Sequence, residues 1–473
     1  MSRPTAVAAW LVPAMATMAL LTPSVARATS YCVQSETCVK AGGTEVKAGS
    51  PGEALQKALT EARTSGPNRV VIGPGTYVRS GGFSYPGSAN TAIEGAGEGS
   101  TVLTRDAAES TTVVALDASA TLSGVTIEVP LARDAGGIAL GGGTASAVRV
   151  ESPESSPAYG LRLEGGKLLQ SVVEARGVAV SASGSTAGEI ADSTLTGISD
   201  VEDTAPVAIR RSRLSADSFA LEIYHTDASV EDTLIDLQGL SGTAGIYVNG
   251  DALGNAKVTV RNATIVNGGS ASAGIWLDPD SGKESNATVY DSIIAAVQRP
   301  LYQRPEEAGS KTAVTTHYSS YEAGRDVRAA SGGASEPPEV EDLDPVSTTP
   351  GFVNEVTGSK GFSEGNWRLA PTSPLIDKGA PGPLAPEESA TDLAGNPRLV
   401  DGRRDVGAYE YQWTAPVVSA TAATAHALVG EPIALGGAAT DSEPGDAIGS
   451  YQWTFDDGAA TPAGTTASHA FAT

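Results

Sequence analysis

Three short segments alternate apolar residues with residues able to do chemistry: Leu221-Glu222-Ile223-Tyr224-His225, Ile246-Tyr247-Val248-Asn249 and Ile275-Trp276-Leu277-Asp278. Successive side chains of a β-strand point to opposite faces. Glu222, Tyr224, Tyr247, Asn249, Trp276 and Asp278 are therefore expected on one outer face, with His225 just beyond. Aromatic rings flanked by carboxylates and an amide suit a sugar: its C–H surface lies on the ring and its hydroxyls meet the polar groups. Tyr224, His225, Tyr247, Asn249 and Trp276 are the expected binding residues. Inverting glycoside hydrolysis uses two carboxylates about 6.5–9.5 Å apart. Glu222 and Asp278, two repeats apart and near the upper limit of that range, are the candidate catalytic pair. The bland alternative is a ladder of aromatic and polar side chains that only covers a sheet.

What must position these residues is a repeat. A small residue, an apolar one, any residue and an apolar one recur as Gly137-Ile138-Ala139-Leu140, Gly160-Leu161-Arg162-Leu163 and Gly177-Val178-Ala179-Val180. The pattern returns at Ala220-Leu221-Glu222-Ile223, Gly245-Ile246-Tyr247-Val248 and Gly274-Ile275-Trp276-Leu277, with Gly197-Ile198 as a weaker member. A second series is out of phase with it: Ile190-Ala191-Asp192-Ser193, Ile209-Arg210-Arg211-Ser212, Val230-Glu231-Asp232-Thr233, Val260-Arg261-Asn262-Ala263 and Val289-Tyr290-Asp291-Ser292. Two β patterns per unit imply one coil with at least two strands, and coils that stack through parallel ladders. Helical periodicity is absent, and a propeller blade would need more strands per unit. The fold class is all-β, a single-stranded right-handed parallel β-helix. Ser193, Ser212, Thr233 and Ser292 repeat at an inward turn position and read as internal hydroxyl ladders. Arg210, Glu231 and Arg261 read as ion pairs between coils.

Ahead of the repeats, Ser50-Pro51-Gly52-Glu53 is a capping box, followed by Leu55, Ala58, Leu59 and Ala62 at helical spacing. This helix is expected to cap the open end of the β-helix. Arg3, the apolar run Ala6 to Leu21 and Ala26-Arg27-Ala28 have the form of a secretory signal peptide cleaved before Thr29. The run is too short, and too broken by Pro13, for a membrane anchor. Cys32 and Cys38 are the only cysteines, and in an oxidising compartment they are expected to form a disulfide.

Thr91-Ala92-Ile93-Glu94-Gly95-Ala96-Gly97-Glu98-Gly99-Ser100-Thr101-Val102-Leu103, after the Gly-Pro-Gly-Thr-Tyr turn at 73–77, resembles the first coil of secreted bacterial pectin-lyase-like β-helix proteins. That fold hosts lyases, hydrolases, esterases, phage tailspikes and non-catalytic surface proteins, so the resemblance bears on fold more than on chemistry. Trp367-Arg368-Leu369, Ser373-Pro374-Leu375-Ile376-Asp377-Lys378-Gly379 and Asp405-Val406-Gly407-Ala408-Tyr409-Glu410 resemble a module that closes many such proteins. Gly430-Glu431-Pro432-Ile433, Tyr451-Gln452-Trp453-Thr454-Phe455-Asp456-Asp457-Gly458 and His469-Ala470-Phe471 resemble a PKD domain, an immunoglobulin-like β-sandwich. The sequence ends at Thr473, where closing strands should begin, so this sandwich is expected to be incomplete. The expected order is a signal peptide over 1–28, a disulfide loop, capping helix and first strand over 29–79, and β-helix repeats over 80–300. A closing module over 301–413, with a mobile loop at 329–350, and a truncated PKD-like domain over 414–473 follow.

Composition narrows the partners. The 473 residues include 55 glycines and 55 acidic against 31 basic residues, for a net charge of −24. Nucleic acid and anionic membranes reward a basic face, so neither is expected, nor is membrane insertion of the mature chain. The Gly-His-Gly and paired-Asp signature of polygalacturonases and the Arg-x-Pro-x-x-Arg of pectate lyases are missing. Arg162 is the only basic outward residue of the first series. No cofactor is expected, although the oxygen-rich loops Asp278-Pro279-Asp280-Ser281-Gly282 and Asp200-Val201-Glu202-Asp203 leave calcium open. The favoured reading is a secreted protein that binds extracellular polysaccharide or cell-surface glycan without cleaving it. The alternatives are a polysaccharide lyase or glycoside hydrolase acting in a groove on the β-helix, and a structural or adhesive stalk.

Overall fold

The computed structural model describes residues 28–473 except 64–65, 107–110, 118–119, 131–135, 153–158, 306, 323–338, 356–364, 401, 413–416, 425, 441–447, 458–462 and 472–473. The expected signal peptide thus lies outside the described residues up to position 27, as do residues 329–338 of the expected mobile loop.

The chain is a parallel β-helix: a 31-stranded sheet winds through three ladders of parallel strands. The first ladder begins with Thr29–Val33 beside Asn68–Ile72 and passes through Gly188–Ala191, Val207–Arg210, Asp227–Glu231, Ala256–Arg261 and Glu284–Tyr290. It continues past residue 300 in Lys311–His317 and Glu339–Asp344. Residues 339–344 are therefore a strand within the stretch expected to be loop. The second ladder runs from Gly75–Val78 through Arg213–Ser215, Leu234–Asp236 and Thr264–Val266 to Ser320–Tyr321. The third runs from Phe83–Tyr85 through Phe219–Tyr224, Ala244–Asn249 and Ala273–Leu277 to Arg299–Gln303. Alternate Val, Ile, Leu and Ala side chains fill one continuous core between the ladders.

A single residue with a left-handed backbone turns each coil from the first ladder into the second. Gln170, Asp192, Arg211, Asp232, Asn262, Asp291 and Tyr318 occupy this column, with φ between 42° and 54°. Asn and Asp tolerate that conformation better than most residues do. The next residue is usually a buried Ser or Thr. Ser171 N donates to Ser193 Oγ at 3.2 Å, Ser193 N to Ser212 Oγ at 3.2 Å, and Ser212 N to Thr233 Oγ1 at 3.5 Å. Ala263 interrupts the column, which resumes when its N donates to Ser292 Oγ at 3.0 Å. Each hydroxyl donates back to the carbonyl two residues earlier. The expected hydroxyl ladder is present.

At the first coils, the helix Pro51–Ala62 starts from Ser50, whose side chain accepts from Glu53 N at 3.3 Å. It buries Leu55, Ala58, Leu59 and Ala62 against the same core, beside early strands of all three ladders. Cys32 and Cys38 form a disulfide.

The described residues between 350 and 412 lie along the second ladder. Leu234, Val266 and Ile293 point outward from it and meet Trp367, Leu375, Val406 and Tyr409 in a separate apolar cluster. Gly407 has a φ of +107°, a conformation L side chains rarely adopt, and a Cβ there would also come within 2.7 Å of Ile293 Cδ1 and 2.9 Å of Thr264 Oγ1. Charges are buried beside this cluster. Arg398 is completely buried and binds Asp232 of the turn column, with Glu410 at 3.5 Å. Arg404, 3% exposed at its side chain, binds Glu388 and lies 4.0 Å from Asp291. Ala380 N donates to Asp291 Oδ1 and Ser389 N to Glu231 Oε1, both at 2.6 Å. Glu231 keeps its expected partner Arg210 at 3.5 Å. Arg261 instead turns to Glu388 at 3.4 Å and stacks on Tyr290. Beyond this region, Val417–Ala422, Ile433–Thr440 and Thr466–His469 form a three-stranded antiparallel sheet.

Candidate functional site

Parallel register turns the outward positions of the third ladder into straight columns along the axis. One column reads Arg162, Ser181, Asp200, Glu222, Tyr247, Trp276 and Tyr302, one residue per coil. The column beside it contains Glu202, Tyr224 and Asn249 in register, and then Asp278 and Arg304, which follow the next two strands. The residues singled out in the sequence are thus brought together on one face.

Their rings touch. Tyr247 stacks on Phe219 at 4.9 Å between centroids, and meets Tyr224 at 5.9 Å and Trp276 at 5.5 Å edge-on. Trp276 in turn lies 5.1 Å from Tyr302, while the Arg304 guanidinium sits 5.1 Å over its ring. Tyr302 is buried, whereas Tyr224, Tyr247 and Trp276 stay half-exposed. The polar groups bind one another across the coils. Tyr247 OH donates to Asp278 Oδ2 at 3.0 Å and accepts from Asn249 Nδ2 at 3.1 Å. Arg304 grips Asp278 with two hydrogen bonds, at 2.9 and 2.6 Å. Two buried polar atoms of the face, Trp276 Nε1 and Asn249 Oδ1, have no hydrogen-bond partner among the described residues.

The two candidate catalytic carboxylates sit in different surroundings. Asp278 is committed to Arg304 and Tyr247. Glu222 is two coils away, with Tyr247 between them, and its neighbour in register is another acid, Asp200. Burial, and then the Asp200 charge, push the Glu222 carboxyl up to about 7. Burial and Glu202 push Asp200 up to about 6, against a pull from His225. His225 lies at a left-handed position (φ 40°), where its Nδ1 meets Asp251 Oδ2 at 2.8 Å. Burial pushes the Tyr224 and Tyr247 hydroxyls upward, so both remain protonated donors.

Sequence reasoning missed Phe219, Asp251, Tyr302 and Arg304, and it placed Asp200 in an oxygen-rich loop, whereas residues 200–203 lie in the strand Thr194–Thr204. Asp200 follows the weak Gly197-Ile198 repeat, where a register shift at Val178–Val180 breaks the pattern. Tyr302 and Arg304 follow Pro300, which stands where earlier coils have glycine, and Gln303 fills the buried position of Leu277 in the coil before. The shared signal was the register itself.

Among the described residues, no three Asp, Glu, His or Cys side chains converge to hold a metal ion. No described helix is long and apolar enough to cross a membrane. A shallow groove of about 480 Å³ lies between earlier coils, lined by Glu151, Ser152, Glu174, Ala175, Arg176 and Thr196. It contains no aromatic ring.

The sequence matches no family model and no curated protein. Among solved structures, the fold is similar to pectate lyase Pel9A, with a TM-score of 0.43 and 12% identity over 81% of this chain and 97% of that one. It is also similar to the tailspike of an Acinetobacter phage, with a TM-score of 0.35 and 10% identity over 86% of this chain and 78% of that one.

Proposed function

We propose that this protein binds extracellular polysaccharide or cell-surface glycan along the third ladder between Asp200 and Arg304. One observation carries the reading: aromatic and carboxylate side chains succeed one another in register, one per coil, on a half-exposed face. The half-exposed faces of Tyr224 and Tyr247 offer C–H contact to sugar rings, and Asn249 and Glu222 offer hydrogen bonds to their hydroxyls. Secretion fits this reading, because the Cys32–Cys38 disulfide is stable in an oxidising compartment. The right-handed winding, the end-capping role of the helix at 51–62 and the PKD-like sandwich after residue 414 belong to the same proposal.

The test is affinity electrophoresis of the mature chain through gels containing pectin, alginate, β-glucan or xylan, with and without calcium. Retardation by at least one polymer that Tyr224→Ala weakens supports binding at this face. No retardation by any of them, or retardation unchanged by Tyr224→Ala and Trp276→Ala alike, overturns the proposal and leaves the stalk reading.

A further inference from the structure

We propose that Asp200 and Glu222 form a hydrolytic acid–nucleophile pair, so that the bound polysaccharide is not only held but cut at a glycosidic bond. The proposal rests on the binding reading, since the pair belongs to the same face.

Four observations place chemistry there. Asp200 and Glu222 are register partners on adjacent coils and face outward, both half-exposed. Adjacent strands are about 4.8 Å apart, close to the separation of about 5–5.5 Å found in retaining glycosidases. The two acids face neither Arg304, which is held by Asp278, nor Arg162, which is held by Glu164 at 2.8 Å. The coil after Glu222 presents Tyr247, which can carry a sugar ring, and Asn249, 9% exposed, whose Oδ1 is buried without a partner among the described residues.

The protonation states divide the roles. Burial lifts both carboxyls above their ordinary values; the Asp200 charge adds to the rise at Glu222, while His225 opposes it at Asp200. Glu222, with an acid beside it, takes the protonated role, and Asp200, with His225 near it, the ionised one. In the first step the Glu222 carboxyl gives its proton to the glycosidic oxygen as the bond from that oxygen to C1 breaks. The Asp200 carboxylate attacks C1 and forms a glycosyl ester, and the shortened chain leaves with a new hydroxyl. In the second step water attacks C1 and gives a proton to the Glu222 carboxylate. The ester bond breaks, Asp200 regains its charge, and the net change is one glycosidic bond and one water converted to two hydroxyls. The Asp251–His225 pair positions the end of the Glu222 strand, and the His225 charge, when present, favours the ionised form of Asp200.

The experiment uses the full chain against each polymer that retards it in the gels, reading reducing ends and absorbance near 235 nm. New reducing ends without absorbance are expected. Asp200→Asn and Glu222→Gln should each cut the rate at least about a hundredfold and still bind the polymer. Azide should restore turnover to Asp200→Ala and yield a glycosyl azide, which a structural role for Asp200 would not produce. Retardation without new reducing ends overturns the hydrolytic proposal and leaves binding intact. An unsaturated product, or rates unchanged in both variants, also overturns it. Absence of retardation by every polymer overturns the binding reading, and this proposal with it.

Discussion

The same coils present two polar regions that could hardly differ more in outcome. On the third ladder, Glu222, Tyr224, Tyr247 and Asp278 face water and bond mainly to neighbours on their own ladder. At the turn into the second ladder, Asp232 and Asp291 are wholly buried, because the segment that carries Arg398, Arg404 and Glu388 covers them. Both regions arise from one rule: register lines up whatever each coil puts outward. What differs is the cover. Where no described segment lies over the column, an acid such as Glu222 has no cation partner among the described residues. Where a segment covers it, every acid needs a partner, because a buried unpaired charge is costly. Around Arg398 the acids still outnumber the cation, and burial together with the charge of Asp405 pushes Glu410 up to about 8. Burial and the neighbouring acid both favour the protonated form of Glu410.

The largest expected effect breaks the seam. Arg398→Met leaves Asp232 and Glu410 buried without their cation and should cost about 3–5 kcal/mol. Urea unfolding measures the loss, and limited proteolysis should cut first within 371–412. A variant as stable as the parent would mean that the apolar contacts of Leu375, Val406 and Tyr409 alone hold the segment.

A smaller effect is expected on the open face. Tyr247→Phe removes the hydroxyl that joins Asn249 to Asp278 and leaves the ring stacking in place. Polymer binding should weaken about three- to tenfold, the equivalent of a single hydrogen bond, with no change in unfolding midpoint. A loss of stability equal to the loss of binding would show that the open face, like the seam, is chiefly structural.

The smallest effect is a pH dependence. The folded protein binds the Glu222 proton more tightly than the unfolded chain does, since its carboxyl rises from 4.5 to about 7. Its contribution is therefore complete below pH 4.5 and fades as pH rises through about 7. Glu222→Gln should match the parent at pH 4 and exceed it at pH 8. Because the group is half-exposed and screened, the gain should stay below about 1 kcal/mol. Equal midpoints at both pH values would show that Glu222 is as well solvated as any surface acid.

These contrasts also show what a sequence can reveal. The first and third ladders were legible because their strands run long enough to alternate, as in Val258-Thr259-Val260 and Gly245-Ile246-Tyr247-Val248. The second was invisible because its later strands, such as Leu234–Asp236 and Ile293–Ile294, span only two or three residues. Glu222 to Asp278 could be seen as one face for the same reason. Asp200 and Arg304 could not, since one follows a register shift and the other a proline and an inward glutamine. The seam was beyond reach because Arg398 and Asp232 are 166 positions apart, and no local pattern couples them.

The column of turn hydroxyls has a mechanical consequence. Every amide in it donates toward the later coil, from Ser171 to Thr233 and again from Ala263 to Ser292. It is a rope with one direction of lay, spliced without a knot at Ala263, where the side chain offers no oxygen to the coil before. Between the coils of Thr233 and Ala263 the solenoid is held by its backbone ladders without this strand of the rope. That splice lies beside the aromatic face, between the strands that carry Tyr224 and Trp276, so there the surface proposed to grip the polymer is carried by backbone pairing from coil to coil.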